Sequence, residues 1–437
     1  MAPGLFERLF RTQGARDAAA LRRLHETCNT LLGERGAANS AKFAELAMER
    51  YTALGDEGRV AFFGLLAERF GPDAERVLAC AKAYAEERSV GNLERLFEAV
   101  EPPRQELLRR INRAPHGTAA LVRMRVDLHK AMKAHPALAA VDADFMHLFA
   151  SWFSPGFLEL ARVDWKSPAS LLEQIIRHEA VHAVRDWDDL RRRLEPDRRC
   201  FAFLHPALPG ELLIFVEVAL LGDMPDSIGP LIEDRAADAG SASARCAVFY
   251  SISNCQPGLR GVSLGNFLIK RVCEILRHEN PDVRRFCTLS PMPGFAAWLR
   301  AGAPLDPERA PRGAAARLER AREIAAAALQ HGALAPDAGL LENLDPALRV
   351  SLERLAVAYL CATRDADPAS DPVAKFHLNN GARIERLNLL ANRSRRGLAE
   401  SYGMMVNYVY DLDRIEDFHE GFVNGRVAVS RVLLQRA

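Results

Sequence analysis

The sequence predicts an α+β chain, with an all-α N-terminal domain over residues 1–160 and a mixed α/β domain over 161–437. Three observations carry that expectation. From Asp17 to Phe153 apolar residues recur at three- and four-residue spacing, with Gly, Pro or Asp at the breaks, which is the helical period. From Arg198 onward short runs rich in Phe, Val, Ile and Tyr alternate with helical stretches. At 437 residues the chain is long enough for two or three domains, each burying its own core.

The elements follow in order. Helices are expected over "FAELAMERYTAL", which gives way at Gly55-Asp56, over "VAFFGLLAERFG", which stops at Gly71-Pro72, and over "AERVLACAKAYAEE". Pro102-Pro103 marks a break before "QELLRRINRA", and "TAALVRMRVDLHKAMKAH" and "FMHLFASWF" complete the helical part. Beyond it, "RCFAFLH", "ELLIFVEVAL", "RCAVFYSIS" and "RRFCTLS" read as strands bounded by Pro, Gly and Asp. The stretch "LGNFLIKRVCEILRHE", the Ala-rich run from Ala314 to Gln330 and the run from Leu348 to Leu360 read as helices. A late strand spans Met404 to Leu412.

Composition excludes some classes of function. Lys and Arg number 58 against 57 Asp and Glu, so no polycationic surface marks a nucleic-acid partner. The eight cysteines are scattered without a C-x-x-C pair, as expected of reduced thiols in an intracellular, cytoplasmic protein. No run of about 18 apolar residues is present to span a membrane. The start, Met1 to Leu24, is Arg-rich and amphipathic in the manner of an organellar presequence, although Glu7 and Asp17 depart from that pattern.

His178, Glu179 and His182 spell H-E-x-x-H, the zinc-protease signature. On a helix the two imidazoles would stand one turn apart on one face, with Glu179 beside them to activate water. A third ligand is not evident: the H-x-x-G-x-x-H continuation is absent, and Glu195, Glu211 and Glu217 occur in no recognisable frame. The alternative is a helix end with one polar side chain turned toward a cleft.

The segment "RCAVFYSISNCQPGLRGVSLGNFLIKRVCEILRHE" reads strand, Gly-containing loop, then amphipathic helix. Backbone N–H groups of Arg260, Gly261, Val262, Ser263, Leu264, Gly265 and Asn266 would gather at a helix N-terminus, where the macrodipole favours an anion such as a pyrophosphate. An ordinary turn before a helix fits the same residues. The spacing of Arg260, Ser263 and Gly265 resembles the coenzyme A loop of the GNAT acyltransferase fold. Further on, Ser290 ends a strand before Pro291, Pro293 and Gly294, either facing a cleft or capping the following helix. His377 lies beside Asn379, Asn380 and Gly381, read as a Gly/Asn-rich connection in which an imidazole could titrate near neutrality.

Taken in order, "EAVHAVRDWDDLRRRL", "RRCFAFLHPALPGELLIFVEVAL", "VFYSISNCQPGLRGVSLGNFLIKRV", "LSPMPGF" and "FHLNNGARIERLN" resemble the malonyl-CoA decarboxylase family from about Trp165 to Tyr410. The resemblance implies a helical domain involved in oligomerisation and a catalytic domain of GNAT fold. It implies catalytic roles for Ser290 and His377, a coenzyme loop at Arg260 to Asn266, and a supporting role for Tyr410. A glutamate that some members place between the glycines of that loop is Ser263 here. Glu179 to His182 falls in the family segment E-A-V-H-x-V-x-x-W, with His182 as a supporting residue and no metal.

The expected reaction converts malonyl-CoA to acetyl-CoA and CO2 with no metal or organic cofactor, because the thioester carbonyl accepts the electrons released by the carboxylate. The expected partners are malonyl-CoA, acetyl-CoA and a second copy of the chain in a dimer or tetramer, with neither nucleic acid nor membrane. A GNAT-type acyltransferase would use the same loop with an acceptor amine, and a noncatalytic malonyl-CoA sensor would bind without turnover.

Overall fold

The structure is a computed structural model describing residues 15–33, 39–233, 244–262, 264, 268–304, 315–364, 367 and 370–436. Part of the amphipathic start, and Ser263, Gly265 and Asn266 of the loop, lie outside the described residues. The chain divides into two compact units. One comprises Met1–Glu159, Leu204–Glu211 and Gln256–Ser263, and the other Leu160–Phe203, Leu212–Cys255 and Leu264–Ala437.

The first unit is built from α1 (Ala15–Leu32), α2 (Ser40–Thr52), α3 (Asp56–Arg69), α4 (Ala74–Glu86), α5 (Val90–Val100), α6 (Pro103–Asn112), α7 (Gly117–Met132) and α8 (Ala139–Trp152). Local chemistry sets the helix starts. Asp73 accepts the N–H groups of Glu75 and Arg76 at the head of α4, and Ser89 accepts that of Asn92 in α5. Pro103 opens α6, where its missing N–H leaves no helical bond unmade. Phe62, Phe63, Leu108, Leu121, Phe145 and Phe149 are among the side chains fully withdrawn from solvent. The α4–α5 hairpin differs from this core: α4 buries no residue, and Leu78, Val90, Phe97 and Val100 are exposed.

The second unit carries the sheet: β1 (Glu159–Val163), β2 (Arg198–Leu204), β3 (Ile214–Leu221), β4 (Cys246–Asn254), β5 (Arg285–Thr288), β6 (Ser290–Pro291), β7 (Arg383–Asn388) and β8 (Met405–Tyr410). Among the described residues the strand order is β1-β2-β3-β4-β5-β8-β6, with β7 also on β8. The helices used below are α9 (Ala169–His178), α10 (Trp187–Arg193), α11 (Leu268–Glu279), α12 (Phe295–Arg300), α13 (Ala315–Gln330), α14 (Pro346–Cys361), α15 (Pro372–Asn379), α16 (Arg395–Ser401) and α17 (Ile415–Val423).

β4 and β5 are parallel, from Cys246 opposite Arg285 to Phe249 opposite Thr288, and α11 supplies the crossover that a parallel pair needs. Their pairing stops there. β4 runs on to Asn254, whereas Ser290 pairs instead with Val406 of β8. Phe286 faces Tyr410 across the antiparallel β5–β8 pair, so the period of two puts Phe286, Thr288, Tyr408 and Tyr410 on one face of the sheet. Cys246, Val248, Cys287, Leu289 and Met405 pack together with Ile228 and Leu231 in a buried apolar cluster. All eight cysteines are free thiols.

Candidate active site

Ser290, His377 and Tyr410 meet on the sheet face just defined. Ser290 Oγ lies 2.9 Å from His377 Nε2 and 2.9 Å from Thr288 Oγ1. His377 Nδ1 lies 2.7 Å from the Tyr410 hydroxyl, and Thr288 Oγ1 accepts the backbone N–H of Tyr408 at 3.3 Å. The imidazole stacks on the Tyr408 ring at 4.6 Å between centroids. Every member is buried, Ser290 being the most open at 6% exposure.

The backbone explains the placement of His377. It occupies the last turn of α15, not a Gly/Asn-rich connection as the sequence reading had it, and its carbonyl accepts the N–H groups of Asn380 and Ala382. Gly381 makes that reversal at φ +75, where a Cβ would stand 2.0 Å from the Ile415 carbonyl oxygen, so no other residue fits without displacement.

Burial lowers the His377 pKa to about 3 and pushes the Tyr410 hydroxyl well up. The imidazole is therefore neutral near pH 7, which corrects the expectation of a titration near neutrality. A neutral imidazole donates from one nitrogen and accepts at the other. In one arrangement Tyr410 donates to Nδ1, Nε2–H donates to Ser290, and Ser290 donates to Thr288. In the other every donor is reversed. The two differ in which ring nitrogen carries the proton, and converting the first into the second without charging the ring needs a proton supplied at the Tyr410 hydroxyl and one released at Thr288.

The H-E-x-x-H residues are arranged otherwise than a zinc site requires. α9 ends at His178, and Glu179 is its extended C-cap, so His178 and His182 are not one helical turn apart. Glu179 Oε1 accepts the N–H groups of Val181 and His182 at 2.8 Å each. Its carboxylate also accepts from Ser251 Oγ at 2.7 Å and Ser253 Oγ at 3.3 Å, both on β4. The glutamate thus pins the segment after α9 to the sheet.

Of the candidate third ligands, Glu217 pairs with Arg193 at 3.1 Å and Glu195 with Arg192 at 2.8 Å. Burial and the nearby Glu179 carboxylate raise Glu217 to about 8, outweighing Arg193, which is shared with Asp189. Among the described residues no cluster of three His, Cys, Asp or Glu could hold a metal ion. His182 is buried and lowered to about 4 by desolvation, then by Arg193 and Arg396. Its Nε2 has no hydrogen-bond partner among the described residues, Ser290 and His377 included.

Of the loop residues, Arg260 and Gly261 are exposed, whereas Val262 and Leu264 are buried. Gly261 adopts φ +86, a conformation that favours glycine. Arg125 of α7, 2% exposed, holds the turn that precedes the loop. Its Nη1 donates to the carbonyls of Gly258 and Arg260 at 2.8 Å each, while its Nε donates to Asp142 at 2.7 Å. A Cβ on Gly258 would stand 2.0 Å from the Val122 carbonyl oxygen. Sequence reasoning missed Arg125 and Thr288, since neither lies in a pattern that signals a site; only the fold brings Arg125 to the Gly258–Arg260 turn and Thr288 to Ser290.

Known proteins match along both units. The family model described as malonyl-CoA decarboxylase N-terminal domain matches residues 70–153, and that of the C-terminal domain matches 156–436. The chain is 37% identical over 378 residues to the mitochondrial malonyl-CoA decarboxylase of Anser anser anser, covering 81% of this chain and 75% of that protein. It is 36% identical over 379 residues to that of Rattus norvegicus, covering 81% and 76%. Both names place those proteins in mitochondria, whereas composition had suggested the cytoplasm. Among the described residues no helix is long and apolar enough to cross a membrane.

Crystal structures of malonyl-CoA decarboxylases match closely. That from Rhodopseudomonas palustris has a TM-score of 0.82 at 44% identity, covering 95% of this chain and 99% of its own. That from Agrobacterium vitis has 0.81 at 42%, with the same coverage. With both family models in register and relatives aligned along most of its length, the chain belongs to the malonyl-CoA decarboxylase family.

Proposed function

We propose that the chain decarboxylates malonyl-CoA to acetyl-CoA and CO2, with Ser290, His377 and Tyr410 at the reacting end and Arg260 to Asn266 cradling the coenzyme's pyrophosphate. The observation that carries the chemistry is the buried chain Thr288–Ser290–His377–Tyr410, with its 2.9 and 2.7 Å links on either side of the imidazole. Ser290 donates to the substrate carboxylate or thioester oxygen, holding the carboxylate out of conjugation so that the breaking C–C bond overlaps the carbonyl. As that bond breaks, its electrons move onto the thioester oxygen and CO2 leaves.

The enolate carbon then takes the Ser290 proton. Nε2–H restores it to Ser290, Tyr410 supplies Nδ1, a solvent proton re-forms the Tyr410 hydroxyl, and the ring, now protonated at Nδ1, returns to the Nε2–H tautomer before the next turnover. The reaction consumes one proton, and the relay supplies it without forming a buried imidazolium. Because the thioester is itself the electron sink, the chemistry calls for neither metal nor organic cofactor.

Incubating the purified chain with malonyl-CoA alone, and following acetyl-CoA and CO2, tests the reading. An acyltransferase would require an added amine, and a sensor would bind without product.

The exposed apolar hairpin α4–α5 supports self-association through the helical unit. Leu78, Val90, Phe97 and Val100 present apolar surface there, and we propose a second copy of the chain as its cover.

A further inference from the structure

Ser290 and His377 belong to separate segments, and a short separation between them must be maintained by something other than their own hydrogen bond. One buried carboxylate touches both segments. Asp371, 2% exposed, is the N-cap of α15, the helix that carries His377. Its Oδ1 accepts the N–H groups of Val373 and Ala374 at 3.0 Å each, fixing the head of that helix. Its Oδ2 accepts the N–H of Gly294 at 3.3 Å, four positions beyond Ser290 in the same turn. The same Oδ2 accepts the hydroxyl of Tyr359 in α14 at 2.9 Å.

Tyr359 fixes the third side of this junction. Its ring packs on Phe295 and Trp298 of α12 at 5.6 and 5.1 Å between centroids, so it grips the helix that follows the Ser290 turn. The approach depends on Gly294, since a Cβ there would stand 2.3 Å from the Tyr359 hydroxyl oxygen. His377 lies six residues along α15 from the cap, about 9 Å at the helical rise, so a tilt at the cap moves the imidazole directly.

We propose that Asp371 is a positioning residue for decarboxylation, tying the Ser290 turn to the head of the His377 helix and thereby setting the distance between the pair. The inference rests on the reading of Ser290 and His377 as the reacting pair. Asp371→Asn separates the tether from the cap. The one remaining oxygen can cap α15, and the amide nitrogen then confronts the Gly294 N–H, donor against donor. Tyr359→Phe removes a single donor and leaves both carboxylate and cap.

Steady-state kinetics on malonyl-CoA test this. Asp371→Asn is expected to lower kcat by roughly 10- to 100-fold, with KM changed less than about twofold, because a small misplacement of reacting groups acts on turnover. Tyr359→Phe should act in the same direction, more weakly, and it carries the test should Asp371→Asn fail to fold. Placed in a Ser290→Ala background, either substitution should add less than about twofold, whereas damage unrelated to positioning would multiply in both backgrounds. Multiplicative losses, or parent kcat in a folded Asp371→Asn, overturn the tether and leave the pair intact. Parent turnover by Ser290→Ala overturns the pair itself, and the tether with it.

Discussion

The Ser290 hydroxyl stands 2.9 Å from His377 Nε2 across 87 positions of chain, although nothing local forces the two together. If they act as one unit, Ser290→Ala and His377→Ala should each cut turnover by about 100-fold or more. The double variant should lose far less than the product of the single losses. A folded His377→Ala protein that turns over malonyl-CoA at the parent rate would end the mechanism.

The neutral relay has a kinetic signature. With His377 lowered to about 3, no limb of the kcat profile between pH 5 and 8 should belong to it. Tyr410→Phe breaks the chain at Nδ1 and should slow turnover by roughly tenfold or more, on the scale of general acid–base contributions. An ionisation near pH 6.5 that vanishes in His377→Gln would contradict the relay.

The same burial makes the fold acid-sensitive. His377 and His182 have folded-state values of about 3 and about 4, below the ordinary 6.5. As the pH falls below about 6.5, the unfolded chain binds protons that the folded chain refuses, so stability declines toward pH 3; above 6.5 these two groups have no effect. Urea midpoints at pH 7 and pH 5 should therefore differ more for the parent than for His377→Gln. Equal shifts in both proteins would count against a depressed His377.

Glu179 gives a metal test. Its carboxylate accepts two backbone N–H groups and two serine hydroxyls, so Glu179→Gln should lower stability by about 1–3 kcal/mol, the cost of leaving buried partners unmatched. Activity of the parent should survive a strong chelator. One zinc per chain by elemental analysis, with chelation abolishing turnover and zinc restoring it, would reverse this reading.

Arg125→Lys keeps the positive charge but cannot hold Asp142 through Nε and Nη2 while Nη1 reaches the Gly258 and Arg260 carbonyls. Coenzyme A affinity should weaken several-fold by titration calorimetry, with kcat less affected. Gly261→Val, strained at φ +86, should act likewise. Unchanged affinity in both folded variants would remove the loop from the coenzyme site.

Phe97→Asp with Val90→Asp should shift the chain from dimer or tetramer to monomer by light scattering, with its helical content kept. A parent protein that is monomeric at micromolar concentration would defeat the assignment of that surface.

Much of this was legible because the relevant signals are local. Helical periodicity exposed the first unit, and β-rich runs bounded by turn residues exposed β2 to β5 and β8. β7 was not anticipated: its sequence Arg383-Ile384-Glu385-Arg386-Leu387-Asn388 is mostly charged or polar, and pairing with β8 rather than propensity makes it a strand. The H-E-x-x-H spelling suggested a helix through His182, but the helix ends at His178, four residues short, because Glu179 caps its own turn and reaches serine donors on β4, far off in sequence. Ser290 and His377 could be singled out from their motifs. Thr288, Arg125 and Asp371 could not, since their significance lies in partners that only the fold supplies.

The turn pinned by Arg125 bears on how this protein can be divided. Gln256–Ser263 follows a sheet strand in sequence yet counts among the helices in space, and the boundary between the units crosses the chain five times, after residues 159, 203, 211, 255 and 263. A gene shortened to begin near residue 160 would encode the Gly258–Arg260 turn without the guanidinium and the Val122 carbonyl that shape it. The N-terminal half is therefore no removable appendage: recombination or domain grafting that exchanges it must carry over the matching turn, or the backbone from Gly258 to Arg260 loses the guanidinium that holds it, even where the sheet is inherited whole.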